Sequence, residues 1–189
     1  GLAQPDTEKP ENSRFSARDL ADLYANRGSQ IFGKNLWRQF RSALGIFDES
    51  YSASPLEAAL ADYFDNNVLG DCRCPTIVTA YDLEARSTTF FKSFKPEHAQ
   101  VLCKSAARAT SAAPTFFEPA QLEVAGKSTS LIDGAVFLNS PVVSAYAEAL
   151  KLFPGDKITV ISLGTGELAQ PISGKQAASW GKIGWMLPV

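Results

Sequence analysis

Histidine is nearly missing from this chain: His98 is the one copy in 189 residues. A Ser-His-Asp triad therefore has a single imidazole to draw on. His98 follows Pro96-Glu97 early in a predicted helix, a solvated setting with no acidic partner at triad-like positions. Cysteine is also sparse. Cys72, Cys74 and Cys103 make neither an even disulfide set nor a C-x-x-C pair, and one histidine leaves a zinc site short of ligands. They read as reduced, mostly buried thiols of a cytosolic protein. No run of Lys or Arg exceeds a pair, and eighteen basic against twenty acidic residues give a net charge of -2, so nothing recruits nucleic acid. No apolar run approaches the ~20 residues of a membrane span, which leaves a cytoplasmic location or peripheral contact with a membrane surface. The first residue is Gly1, with no initiator Met and no signal-peptide core, so the chain reads as cut rather than naturally begun.

What is present is a globular composition. At 45% hydrophobic and 20% charged, 189 residues suffice for one sizeable core. Residues 4–14 are polar and contain proline, and read as a flexible surface loop, so order is expected to begin after them. Ser16 with Asp19 forms a capping-box pattern before a helix over about 17–31. Asn35 to Leu44 is a second helical candidate, and Ser54-Pro55-Leu56-Glu57 supplies a cap, an N1 proline and a capping-box glutamate for a helix to Asn66. From Pro75 the character changes. Thr76–Tyr81 and Ser87–Ser93 are β-branched and aromatic runs about a charged turn, which predicts a strand pair. Pro96 to Arg108 reads as one helix, Gln121–Val124 and Thr129–Ile132 as a hairpin, and Ser140-Pro141 as the opening of a helix to Leu152 that Pro154-Gly155 ends. Lys157–Leu163 has the continuous apolar character of a strand inside a covered sheet. The alternation of helices and strands predicts an α/β fold.

One carboxylate stands out. Asp133 lies in Leu131-Ile132-Asp133-Gly134-Ala135, where an apolar strand delivers it to a strand end ahead of a helix, the place where α/β proteins keep their chemistry. Asp-Gly alone is a commonplace turn dipeptide. Its context adds weight: Arg108-Ala109-Thr110-Ser111-Ala112-Ala113-Pro114-Thr115-Phe116-Phe117 lies upstream and Ile158-Thr159-Val160-Ile161-Ser162-Leu163-Gly164-Thr165-Gly166 downstream. Ser111 has no flanking glycine to permit the sharp turn that exposes a nucleophile, so it reads as a helix-end serine. Phe116 and Phe117 read as core, and Arg108 as a solvated or helix-end arginine. Gly164-Thr165-Gly166 lacks the Lys-Ser/Thr of a nucleotide loop. The tail Trp180–Val189 combines two tryptophans with aliphatics and is expected to dock on the protein.

These three segments, in this order, resemble those of the patatin-like acyl hydrolases, from about Ser16 to Gly166. The resemblance implies a three-layer α/β/α domain with a mostly parallel central sheet, of which residues 1–189 form the C-terminal part. It implies a Ser-Asp dyad in which Asp133 is the partner of a serine in a G-x-S-x-G turn, preceded by a Gly-rich oxyanion loop. Neither motif occurs in the chain, so both are expected upstream. No cofactor and no metal is implied. The implied activity is phospholipase A-type cleavage of acyl esters through an acyl-enzyme. Alternatives are a catalytically silent regulatory or binding relative, or a non-lipid esterase.

Overall fold

A computed structural model describes residues 2–31, 52–114, 116–124, 126–164, 166 and 178. The helical candidate at Asn35–Leu44 and the Trp180–Val189 tail lie outside the described residues.

Helix α1 (Ala17–Ile31) starts where the capping pattern places it: Asp19 accepts from the Ser16 amide at 2.8 Å, and the Asp19 amide donates back to Ser16 Oγ at 3.2 Å. Helix α2 (Ser54–Phe64) begins one residue earlier than its proline pattern predicts. Ala53 is the N-cap, without a side-chain cap, and Ser54 is already helical. Glu57 makes no capping-box bond because it is drawn to Arg108 instead.

Strands β1 (Ile77–Asp82) and β2 (Ser87–Lys92) pair antiparallel about the turn 83–86. The stretch read as one helix over Pro96–Arg108 is two, α3 (Pro96–Ala99) and α4 (Cys103–Thr110). Between them Leu102 bridges to Val68, and Val101 O accepts from the Leu69 amide at 2.9 Å, so tertiary pairing takes carbonyls a continuous helix would use. Strands β3 (Ala120–Val124) and β4 (Lys127–Asp133) form the hairpin, with Gly126 at φ +78° supplying the left-handed turn residue. Helix α5 (Val142–Leu152) follows a single 3-10 turn, Gly134–Val136.

The sheet order is β2-β1-β4-β3, and all three pairings are antiparallel. The α/β expectation holds, but among the described residues the sheet is not mostly parallel. Its two hairpin turns are too short for parallel pairing, which requires a crossover of a dozen or more residues. Helix α4 crosses β1, β4 and β3, and α2 packs behind it. The inward stripe of α4 is Cys103, Ala106 and Ala109, small enough to seat the helix close on Ala80, Phe91, Ala120 and Leu131. Phe91 and Leu131 are fully buried, each contributing about 1.5–3 kcal/mol of apolar burial.

Two further expectations fail. Lys157–Leu163 is not a strand; it runs along α5 without a strand partner among the described residues, and Ile161 and Leu163 are 79% and 91% exposed. Apolarity alone predicted burial there, and among the described residues no neighbouring strand covers it. Residues 4–14 are not a loose loop: Pro5 and Ser13 form a bridge, the Arg14 amide donates to Gln4 O at 2.9 Å, and the Gln4 side chain is buried. Among the described residues no helix is long and apolar enough to cross a membrane.

Candidate active site

Asp133 is the last residue of β4, opposite Ala80 of β1. Its backbone amide leaves the sheet and donates to Ala112 O at 3.0 Å, just beyond the end of α4. That bond joins two of the three segments that stand out in the sequence. The side chain then caps the 3-10 turn, Oδ1 accepting from the Ala135 amide at 2.8 Å. Oδ2 has no hydrogen-bond partner among the described residues. One oxygen fixes the carboxylate, and the other is unused among the described residues. Asp133 is half-buried.

Gly134 makes this turn. A Cβ there would lie 2.6 Å from Thr79 Oγ1 and 2.7 Å from the Thr79 carbonyl carbon, so the chain crosses β1 where only hydrogen fits. Immediately beyond, Val136 and Phe137 are exposed, Phe137 by 71%, with its ring 6.0 Å from that of Tyr81. An apolar rim thus adjoins the carboxylate.

Ser111 is a helix-end residue, as its sequence context implies. Its hydroxyl donates to Ala107 O at 2.6 Å, which occupies it within its own helix. His98 is half-buried rather than solvated: Nδ1 accepts from the Lys92 amide at 3.3 Å and the ring meets Phe91 edge-on. Desolvation, opposed by the charge of Glu97 and helped by that of Lys92, holds its pKa below the ordinary imidazole value. From α3 it packs on the outer strand β2, through Lys92 and Phe91.

Sequence reasoning missed the surroundings of Arg108. It is 6% exposed, not solvated: Nε donates to Glu57 Oε1 at 3.0 Å, Nη2 donates to Glu118 O at 2.9 Å, and the guanidinium lies over the buried Phe117 ring. Nη1 is buried without a partner among the described residues. Phe117 joins Ala53 and Leu56 in a second apolar cluster that Phe116 flanks, so both aromatics serve packing. A cleft of about 340 Å³ between α2, α4 and β3 is walled by Glu57, Leu60, Lys104, Arg108 and Leu122. A second, of about 350 Å³, lies between α5 and residues 158–163. Asp133 lines neither, so we locate the candidate chemistry by the carboxylate's geometry rather than by cavity size. The described residues contain no cluster of His, Cys, Asp or Glu able to hold a metal ion.

Comparison with known proteins agrees with the joined segments. The family model described as patatin-like phospholipase matches residues 2–146. Patatin-like protein 1 of Arabidopsis thaliana is 27% identical over 98% of this chain and 50% of its own length. The cGAMP-activated phospholipase of Vibrio cholerae serotype O1 is 26% identical over 90% of this chain and 52% of its own. Patatin of Solanum tuberosum is 24% identical over 97% of this chain and 52% of its own. The chain thus spans about half the length of these relatives. Since the family model covers most of its residues, the chain belongs to the patatin-like phospholipase family.

Proposed function

We propose that the full-length protein is a lipid acyl hydrolase of phospholipase A type, and that Asp133 is the base of its Ser-Asp dyad. The observation that carries this reading is the Asp133 carboxylate itself, anchored by the Ala135 amide through one oxygen and free at the other among the described residues. Asp133 takes the proton of a serine hydroxyl as that oxygen attacks the acyl carbonyl. It returns the proton to the departing alcohol, and the acyl-enzyme forms. Asp133 then activates the water that releases the fatty acid. The serine, in a G-x-S-x-G turn, and the glycine-loop amides that hold the oxyanion belong to segments outside this chain. The exposed Val136 and Phe137 beside the base suit an acyl substrate and peripheral contact with a lipid surface.

The test is fatty-acid release from phosphatidylcholine vesicles by the full-length protein, with fluorophosphonate labelling in parallel. We expect a labelled serine and release that falls about 10²–10⁴-fold in Asp133→Ala. Wild-type turnover in that variant sinks the assignment of the base. Absence of both label and release points to the silent relative. Label with turnover of soluble esters alone points to the non-lipid esterase.

A further inference from the structure

Two cysteines meet at a place the proposed reaction does not use. Cys72 follows the 3-10 turn Leu69–Asp71, and Cys103 is the first residue of α4. Their backbones are stitched together: Val68 bridges Leu102, and the Cys103 amide donates to Asn67 O at 2.9 Å. The buried Gln4 amide spans both sulfurs, Nε2 lying 2.9 Å from Cys103 Sγ and 3.5 Å from Cys72 Sγ. One amide nitrogen thus brings the two sulfurs to a common point. Cys103 is buried and Cys72 half-buried, so a small reagent from solvent meets Cys72 first.

We propose that Cys72 and Cys103 are an oxidation site, closing to a reversible intramolecular disulfide when Cys72 meets a hydroperoxide. The Cys72 sulfur attacks a peroxide oxygen, an S–O bond forms, the O–O bond breaks, and the alcohol or water leaves with a proton. The sulfenic acid at Cys72 is then attacked by Cys103: the S–S bond forms, the S–O bond breaks, and hydroxide departs with the Cys103 proton as water. Two thiols lose two electrons in total and one peroxide is reduced.

The two sulfurs are unequal in the way this sequence needs. The hydrogen bond from Cys103 brings the Cys72 thiol down to about 6, so it is largely thiolate at neutral pH, the nucleophilic form. The same contact, with burial, pushes Cys103 up, so it waits as the protonated resolving thiol. Closure brings the sulfurs to about 2.05 Å at the point where Gln4 Nε2 already lies against both. Cys74 is exposed and hydrogen-bonds to neither sulfur.

The experiment exposes the full-length protein to one equivalent of hydrogen peroxide, blocks remaining thiols with N-ethylmaleimide and maps peptides by mass spectrometry. We expect a loss of about 2 Da, a Cys72–Cys103 linked peptide reversed by dithiothreitol, and alkylated Cys74. Iodoacetamide should label Cys72 with a half-point near pH 6 in the native protein. In Cys103→Ala that half-point should rise toward about 8.5. Linkage to Cys74, linkage only between molecules, or no reaction of Cys72 overturns the proposal. The wild-type mapping stands whether or not the variant folds.

Discussion

Arg108 and Asp133 flank one short stretch of chain and are treated in opposite ways. Arg108, in the last turn of α4, is wrapped: Glu57, the Glu118 carbonyl and the Phe117 ring enclose it. Asp133, whose amide is tied to Ala112 four residues further on, is gripped by one oxygen and left half-open at the other. The Arg108 charge is held by Glu57, remote in sequence, whereas the Asp133 charge is held by the Ala135 amide two residues on and only its backbone reaches a distant partner. Yet the first is buried against an ion-pair partner, with only Nη1 unpaired among the described residues, while the second keeps a half-exposed oxygen unused there. A wrapped ion serves stability and a half-open one serves a ligand, so the two sites should fail differently when altered.

The largest separation is expected from Asp133→Asn. Fatty-acid release by the full-length protein should drop about 10²–10⁴-fold while the urea midpoint changes little, because the amide oxygen still accepts from Ala135. Gly134→Ala should blur the contrast by about 1–3 kcal/mol of stability, since a Cβ meets Thr79 and the turn must shift, taking activity down with it. Glu57→Ala leaves the Arg108 guanidinium without its counter-ion. Because the Glu57 side chain is 54% exposed, the loss should be about 1–2 kcal/mol by urea unfolding, with turnover per folded molecule unchanged.

The smallest effect belongs to a third carboxylate, Glu84, which accepts from the Ser130 hydroxyl and amide and from Thr129 across the sheet. The Ser130 hydroxyl, then its amide, hold Glu84 down to about 2. Its contribution is therefore present above the unfolded glutamate value of about 4.3 and is lost as pH falls toward 2. Urea midpoints of wild type and Glu84→Gln should differ at neutral pH and converge near pH 2, with activity at neutral pH equal. A difference persisting at pH 2 would assign the effect to packing instead.

Local chemistry was legible in the sequence wherever it acts over a few residues. The Ser16–Asp19 box, the β-branched runs of β1 and β2, the glycine turn of the β3–β4 hairpin and the strand-end setting of Asp133 all read correctly. What stayed hidden depends on partners far along the chain. Nothing near Arg108 announces Glu57, nothing in Pro96–Arg108 announces that Leu102 will bridge Val68, and the apolarity of Lys157–Leu163 does not reveal whether a strand lies beside it. Sheet direction among the described residues was hidden for the same reason: Ala80 of β1 pairs with Asp133 of β4, far along the chain. The docked Gln4 was illegible because its partners are two sulfurs, whose weak hydrogen bonds leave no compositional trace.

The crossing of Gly134 over Thr79 bears on how this region can change by mutation. A defect at a tight contact is often suppressed by trimming the residue opposite. Here that escape is closed, because two of the three nearest obstacles are the Thr79 Cβ and carbonyl carbon, atoms that alanine and serine retain. A suppressor library at position 79 should return nothing for Gly134→Ala. Position 134 is thereby held to glycine whatever side chain stands at position 79.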